Sequence, residues 1–332
     1  VFFGLLGDLF PGINPPRKID EKLEEHVRLA CEKLGNHPDE LFRLKIVQLE
    51  ELLAIRHCVF VMGPPGAGKS QTWKTLAMAR TIAGDKTKAV DINPKSISTQ
   101  DLYGYISMAT REWKDGLLSK TMRDLGEIPD TKPKWMILDG DLDANWIESM
   151  NSVMDDNKML TLASNERIPV KPHMRLIFEI RDLKFATPAT VSRAGILYIS
   201  TDDGTQWRSI IESWLAKAEY PEEIVARLRE AFSTYMEPTL KWLSINVKSV
   251  VALQDMNFVQ TLLYMLDGTL FPEVIASEHA DAIERTFVFC MFWSMGSALT
   301  VTDDGTDHRK LFSDWWRSEW KKVKVPSQYT IY

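Results

Sequence analysis

A glycine-rich octapeptide between an apolar run and a helical segment is the strongest constraint on the fold of this chain. Residues 63–70 read Gly-Pro-Pro-Gly-Ala-Gly-Lys-Ser, which matches the pattern G-x-x-x-x-G-K-[ST]. The apolar run at residues 57–62 is typical of a buried parallel strand, and residues 70–83 have helical spacing. A strand, this loop and a helix in that order form a P-loop, so we expect an α/β fold.

The P-loop predicts a binding site for the phosphates of a nucleotide. Its glycines let backbone N–H groups turn toward phosphate oxygens, and the following helix adds the positive end of its dipole. Lys69 supplies a compact charge for the terminal phosphates, and the Ser70 hydroxyl is a ligand for Mg²⁺. The residues expected to bind ATP or ADP are therefore Gly63, Pro64, Pro65, Gly66, Ala67, Gly68, Lys69, Ser70 and Gln71, together with Asp139.

Asp139 is expected to complete the metal site. It ends the apolar run at residues 134–138, which would place its carboxylate near Ser70 at the carboxyl edge of a parallel sheet. We therefore predict that Ser70 and Asp139 hold Mg²⁺. The next position often carries a carboxylate that deprotonates the attacking water, but here it is Gly140. Asp141 follows one residue later and would face the opposite side of a strand, so slow or absent hydrolysis is expected.

Strands alternate with helices in the first two hundred residues, and helices follow. Three further strands are predicted at residues 89–92, 175–180 and 196–199, which gives a parallel five-stranded sheet flanked by helices. We expect two domains, an α/β domain at residues 1–203 and a smaller all-α domain at residues 204–332. Helices of the second domain are predicted at residues 206–218, 221–243, 258–266 and 278–299.

Composition argues against several other classes of protein. The chain has 40 basic and 46 acidic residues, so it lacks the charge balance of a nucleic-acid-binding surface. Nucleic acid is therefore not expected as a partner. No apolar run is long enough to span a membrane, so a membrane is not expected as a partner either. Cys31, Cys58 and Cys290 lack zinc-site spacing and are expected to be buried thiols. The Trp- and Lys-rich tail from residue 311 is interpreted as a terminal helix that packs on a neighbour.

Several long stretches resemble the second AAA+ module of dynein heavy chains. Residues 146–158 read Trp-Ile-Glu-Ser-Met-Asn-Ser-Val-Met-Asp-Asp-Asn-Lys, and residues 160–168 read Leu-Thr-Leu-Ala-Ser-Asn-Glu-Arg-Ile. Residues 186–195 read Ala-Thr-Pro-Ala-Thr-Val-Ser-Arg-Ala-Gly, and residues 3–12 resemble the opening segment of that module. The resemblance covers nearly the whole chain, is weaker in the helical part and favours the axonemal branch. Because the sequence starts at Val1 with neither an initiator Met nor the layout of a signal peptide, we also expect it to be an excerpt of a longer chain.

This resemblance implies a place in an ATP-driven, minus-end-directed microtubule motor. It implies an AAA+ domain with a helical lid, in which the nucleotide is mainly a structural or regulatory ligand. The implied partners are the adjacent AAA+ modules and the linker of the same heavy chain, the intermediate and light chains, and the microtubule through other domains. The implied location is the cytoplasmic cytoskeleton, and specifically the axoneme of a cilium or flagellum.

The resemblance also implies a catalytic role for Arg193. In the sequence Ser-Arg-Ala-Gly, this residue resembles the arginine finger that reaches into the nucleotide site of the preceding module. A planar, permanently charged guanidinium suits that task because it neutralises charge on the γ-phosphate. One departure concerns the polar sensor of AAA+ ATPases, for which this chain offers Glu179, Arg181 and Asp182 instead of an asparagine. This departure agrees with weak hydrolysis.

Two insertions of the same family are expected as hairpins. Residues 105–113 alternate loosely, and a turn is predicted at residues 114–116. Residues 159–174 form the second insertion before the next strand. In dynein-like modules such insertions touch the linker, whereas ordinary surface hairpins are the alternative.

Two other functions stay open from the sequence alone. One is a module that hydrolyses its own ATP, with Asp141 as the base, as in a ring protein related to midasin, which acts in ribosome assembly. The other is a structural module whose site holds no nucleotide.

Overall fold

The computed structural model describes residues 20–201, 204–276 and 281–320. The opening segment at residues 3–12, the lysines of the tail after residue 320 and the predicted helix start at residue 278 lie outside the described residues. Asp202 and Asp203 lie outside them as well, so the domain boundary at residue 203 stays a prediction. The described chain forms two compact units, which divide between Ile199 and Ser200 apart from two short segments at Gly35–Asp39 and Pro64–Gly68.

The α/β unit alternates strands and helices along the chain. Its elements are α1 (Glu21–Leu34), α2 (Glu40–Ile55), β1 (Cys58–Met62), α3 (Lys69–Ile82), β2 (Lys88–Ile92), α4 (Thr99–Tyr103), β3 (Gly104–Ile106), β4 (Trp113–Asp115), α5 (Leu117–Glu127), β5 (Lys134–Asp139), α6 (Ala144–Met154), β6 (Met159–Thr161), β7 (Arg167–Pro169), β8 (Met174–Ile180), α7 (Pro188–Arg193) and β9 (Gly195–Tyr198).

Five of these strands form one parallel sheet in the order β2-β5-β8-β1-β9, which confirms the predicted fold class. The inner strands β1, β5 and β8 are buried along most of their length, because strands of a parallel sheet are covered on both faces. On one face Phe60, Phe178 and Trp146 of α6 form an aromatic cluster with ring centroids 5.0 and 6.2 Å apart. Helices α1 and α2 pack against α3.

Both expected insertions are antiparallel hairpins. Strand β3 pairs with β4, and strand β6 pairs with β7. The turn predicted at residues 114–116 was wrong, because Lys114 and Asp115 belong to β4 and the chain reverses within residues 107–112. Gly116 is instead the N-cap residue before α5, and a Cβ added to it would lie 2.3 Å from the carbonyl oxygen of Leu102. Gly116 therefore allows two backbone segments to approach closely. In the sequence, a glycine at this position looks like part of a turn.

Arg123 of α5 connects the two hairpins. Its guanidinium lies 2.5 Å from the Asp115 carboxylate at the end of β4 and 3.0 Å from the Glu166 carboxylate in the β6–β7 loop. This guanidinium lowers the pKa of Asp115, chiefly through their hydrogen bond. The two insertions, which are far apart in sequence, thus share one ion-pair junction.

The second unit is a bundle of helices. Its elements are α8 (Thr205–Lys217), α9 (Glu222–Asn246), α10 (Asp255–Thr269), α11 (Pro272–Ile275), α12 (Ala282–Gly296) and α13 (His308–Glu319). Trp316 of α13 is fully buried, with its ring 4.7 Å from Phe292 of α12, and Trp315 stacks on Trp242 of α9 at 4.7 Å. The tryptophans of the tail therefore pack against neighbouring helices, as predicted.

Two further expectations concern cysteines and membranes. Cys31, Cys58 and Cys290 are buried free thiols, and burial raises the pKa of Cys31 to about 11. Among the helices of the described ranges, none is both long and apolar enough to cross a bilayer.

Two phenylalanines on α12 provide a matched test of the helical core. Phe287 is fully buried with its ring 4.9 Å from Phe232, whereas Phe289 is 52% exposed. Phe287→Ala is expected to lower the free energy of unfolding of this unit by about 3–5 kcal/mol, since it leaves a cavity. Phe289→Ala should cost less than about 1 kcal/mol. Urea denaturation followed by circular dichroism measures both, and equal losses would contradict this packing.

Candidate nucleotide-binding site

The P-loop joins the carboxyl end of β1 to the first turn of α3. Gly66 and Gly68 have φ values of 76° and 92°, in the left-handed region that glycine tolerates best. Apart from its two chain neighbours, no heavy atom of the described residues lies within 4 Å of a Cβ added to Gly68, so there is open space at this position of the loop. A loop of this conformation, followed by a helix N-terminus, suits a phosphate group. The residues present therefore fit a nucleotide.

Lys69 lies at the start of α3 and is held within the loop. Its Nζ donates a hydrogen bond to the carbonyl oxygen of Gly63 at 2.9 Å. Burial lowers the pKa of Lys69, while the nearby carboxylates of Glu179, Asp139 and Asp141 act in the opposite direction. The ammonium group thus sits in a half-buried position among acidic groups, as a cation at a metal–phosphate site would.

The acidic residue that contacts Ser70 is Glu179, for which the sequence indicates only a place among the sensor candidates. The Ser70 hydroxyl donates to Glu179 Oε2 at 2.7 Å. The indole N–H of Trp73 donates to the other carboxylate oxygen, Oε1. Glu179 is buried in β8, with 3% of its surface exposed. A charged residue inside the apolar run Leu176–Ile180 was the signal in the sequence.

Burial and hydrogen bonding have opposite effects on Glu179. Burial is the largest influence and raises the pKa of Glu179, while the hydrogen bonds from Ser70 and Trp73 and the charge of Lys69 act in the opposite direction. Nearby Asp139 contributes a further increase, because two neighbouring negative charges repel each other.

Asp139 lies beside Glu179 in the sheet. The two residues are partners in the parallel register of β5 and β8, where Asp139 is the last residue of β5 and Glu179 the last but one of β8. The Asp139 side chain is exposed, unlike that of Glu179. The geometry brings Lys69, Ser70, Asp139 and Glu179 to one edge of the sheet, and the metal-binding role of Asp139 stays a prediction.

Gly140 occupies a confined position after β5. Its N–H donates to the carbonyl oxygen of Glu179 at 3.1 Å, which continues the ladder. A Cβ added here would lie 3.3 Å from Asn93 Oδ1, so the Asn93 side chain would have to give way slightly, whereas Pro94 Cδ at 3.5 Å would be in ordinary contact. Asp141 accepts a hydrogen bond from the Arg181 N–H at 3.0 Å. The Asp141 carboxylate therefore ties the end of β5 to the end of β8.

Arg193 ends the short helix α7, away from the P-loop residues in sequence. Its side chain is 30% exposed and forms an ion pair with Asp155, which follows α6. The N-cap Thr187 accepts from the Thr190 N–H at 3.2 Å, and the Thr190 hydroxyl donates to Asn151 of α6 at 3.0 Å. Helix α7 is thus fixed on α6, and the guanidinium is held at the end of this pair.

The remaining sensor candidates interact with each other. Arg181 donates to the Asp182 carboxylate at 3.1 Å, and the Arg181 side chain is 54% exposed. These contacts do not indicate a role for Arg181 or Asp182 in nucleotide binding.

Most of the chain matches known protein families. Residues 58–194 match the family described as "AAA domain (dynein-related subfamily)", and residues 228–332 match "Dynein heavy chain AAA lid domain". Residues 1–70 match "Hydrolytic ATP binding site of dynein motor region". The parallel sheet, the P-loop and the helical unit therefore define an AAA+ module with a lid.

Similar proteins narrow this class further. The chain is 50% identical to the dynein alpha chain of the flagellar outer arm of Chlamydomonas reinhardtii, over 100% of this chain and 8% of that protein. It is 46% identical to the ciliary dynein beta chain of Tripneustes gratilla and to human dynein axonemal heavy chain 17, over 100% of this chain and 7% of each relative. The chain belongs to the dynein heavy chain family, and it spans less than a tenth of these relatives.

Two glycines test the backbone conformation of the P-loop. Gly68→Ala is expected to lower the free energy of unfolding by about 1 kcal/mol or more, because its φ of 92° is unfavourable for alanine. Gly126→Ala, in helix α5, should raise it by about 0.5–1 kcal/mol, because alanine favours helix and its Cβ would make only ordinary contacts near 3.8 Å. Thermal denaturation measures both variants, and stabilisation by Gly68→Ala would contradict the loop conformation.

Proposed function

We propose that this chain is the second AAA+ module of a dynein heavy chain and binds ATP or ADP with Mg²⁺, mainly as a structural or regulatory ligand. In this proposal, Lys69 and the loop backbone hold the phosphates, while Ser70 and Asp139 are the protein ligands of the metal. The observation that carries the proposal is the P-loop geometry, with Lys69 at its base and a glycine beside open space. Bound Mg²⁺ would neutralise phosphate charge.

The surroundings of Gly140 support slow turnover. The absence of a side chain at this position removes the usual base, and Asn93 lies close to where a side chain would start. Asp141 is engaged by the backbone of Arg181, so its carboxylate has a structural hydrogen bond to maintain. A proton acceptor must reach the attacking water, and neither position favours this.

The second part of the proposal concerns Arg193, which we propose acts as an arginine finger on the preceding module. Asp155 provides a carboxylate that holds the guanidinium within this chain. Because the side chain is partly exposed, a γ-phosphate of a neighbouring module competes with Asp155 for the same cation. Arg193 thereby links the occupancy of the neighbouring site to the end of helix α7.

The parent protein supplies the wider context of the proposal. The relatives are named as ciliary, flagellar and axonemal dynein chains. We accordingly propose that the parent chain is a minus-end-directed microtubule motor of the axoneme. Other domains of the parent chain would contact the microtubule. The proposed partners are the adjacent AAA+ modules and the linker of the same heavy chain, together with the intermediate and light chains of the motor.

A second candidate function is hydrolysis of ATP by this module itself. The family description of residues 1–70 as a hydrolytic ATP-binding site favours it. This candidate requires a base other than residue 140, since glycine has no side chain.

Lys69→Ala tests nucleotide binding. Titration of the full chain with a fluorescent ATP analogue in Mg²⁺ should show affinity reduced by about 10- to 100-fold or more, because a charge-assisted contact contributes about 1.5–3 kcal/mol. Lys86→Ala, at an exposed position, is the matched control and should bind as the unmodified chain does. Absence of binding by the unmodified chain would instead support a nucleotide-free structural module. Phosphate release at a steady rate would favour the second candidate.

Arg193→Ala tests the finger in the full-length heavy chain. Loss of the guanidinium should reduce microtubule-stimulated ATPase activity by about 10³-fold, the lower range for an arginine finger. Arg193→Lys should restore only part of the activity, since an ammonium lacks the planar fork.

Asp155→Asn is the control for a purely structural ion pair. It removes the charged partner of Arg193 but leaves the guanidinium in place. A finger predicts near-normal activity in Asp155→Asn, whereas a structural pair predicts similar losses in both variants. Normal ATPase activity of Arg193→Ala would argue decisively against the finger.

A further inference from the structure

Glu179 is a buried carboxylate in the site that has no role in the nucleotide binding proposed above. A buried carboxylate is costly because it loses hydration, so it persists where specific donors compensate it. Each oxygen of Glu179 has its own donor, and both donors come from helix α3. Ser70 and Trp73 are three residues apart, so they lie one above the other on the same face of the helix.

The hydrogen bond from Ser70 determines how its hydroxyl can serve a metal. A hydroxyl carries one proton and two acceptor lone pairs. Because the proton is donated to Glu179, the lone pairs of Ser70 Oγ stay available to a cation. The acceptor of this proton is the buried Glu179 rather than the exposed Asp139, which lies next to it in the β5–β8 register.

We propose that Glu179 is a positioning residue for Mg²⁺ at this P-loop, and that it acts by fixing the Ser70 hydroxyl for metal coordination. This inference rests on the proposed nucleotide binding. The indole N–H of Trp73 holds the second carboxylate oxygen and so fixes the carboxylate itself. Groups that orient a metal ligand in this way influence metal affinity although they do not touch the metal.

The charge of Glu179 gives the inference a distinctive signature. Next to a bound dication, a negative charge stabilises the complex, whereas next to metal-free ATP it repels the phosphates. Loss of the charge therefore weakens binding of Mg²⁺–ATP but not binding of ATP in a chelator. A residue that only supports the fold would weaken both.

Glu179→Gln in the full chain tests this difference by calorimetric titration with ATP, once in MgCl₂ and once in EDTA. Glutamine replaces one carboxylate oxygen by an NH₂ donor, so in the same orientation one of the two donors would face another donor. The affinity for ATP in MgCl₂ should fall by about 10- to 100-fold, as is typical when the partner of a metal ligand is lost. The affinity in EDTA should stay the same or increase.

Three further variants separate positioning from support of the fold. Glu127→Gln makes the same chemical change at an exposed site on α5 and should leave both affinities unchanged. In a Ser70→Ala background, Glu179→Gln should add little to the loss of Mg²⁺ dependence, since both residues act through one hydroxyl. Trp73→Phe removes one donor but keeps the carboxylate, and it should reduce Mg²⁺ dependence by a smaller factor. This variant still tests the inference if Glu179→Gln does not fold.

Each outcome distinguishes the inference from the proposed function. If the unmodified chain binds no nucleotide, the proposed function itself fails and the inference fails with it. If the unmodified chain binds but Glu179→Gln keeps full Mg²⁺ dependence, or loses affinity equally in MgCl₂ and EDTA, only the inference is overturned. Loss of Mg²⁺ dependence in Asp139→Asn alone would assign the whole effect to Asp139.

Discussion

The parallel arrangement of the sheet is the constraint on which the site depends. In a parallel sheet all strands end at the same edge, so residues that follow different strands in sequence become neighbours in space. Strand β8 lies between β1 and β5, which sets the P-loop on one side of Glu179 and Asp139 on the other. The apolar character of these inner strands is thus a requirement of the chemistry as well as of stability, because it fixes the register that brings a lysine, a hydroxyl and two carboxylates together.

Helix α3 depends on this arrangement in turn. Its first residue is Lys69, and its first two turns carry both donors to Glu179. The start of the helix is therefore attached to β8 by two side-chain hydrogen bonds. Asp141 adds a second connection, from the end of β5 to the backbone of Arg181 after β8. These polar contacts make the edge of the sheet a single connected structure.

The sequence predicted the strands well because each inner strand is a short apolar run that ends at a glycine, an aspartate or a polar residue. It could not reveal the contact between Ser70 and Glu179, which are 109 residues apart and meet only through the strand order. The turn misplaced at residues 114–116 has a similar cause. Lys-Asp-Gly is a good local turn signal, but Asp115 is drawn into the strand and paired with Arg123, and Gly116 is required by a backbone 12 residues or more distant from it.

Arg123 connects the two hairpins through its side chain. A two-stranded hairpin by itself is marginally stable in water, and these two have strands of three residues each. One guanidinium holds a carboxylate from each hairpin and so joins them through side chains. Partly exposed ion pairs of this kind contribute little energy and weaken with salt. The contact that joins the two hairpins is therefore weak, and its strength depends on the salt concentration.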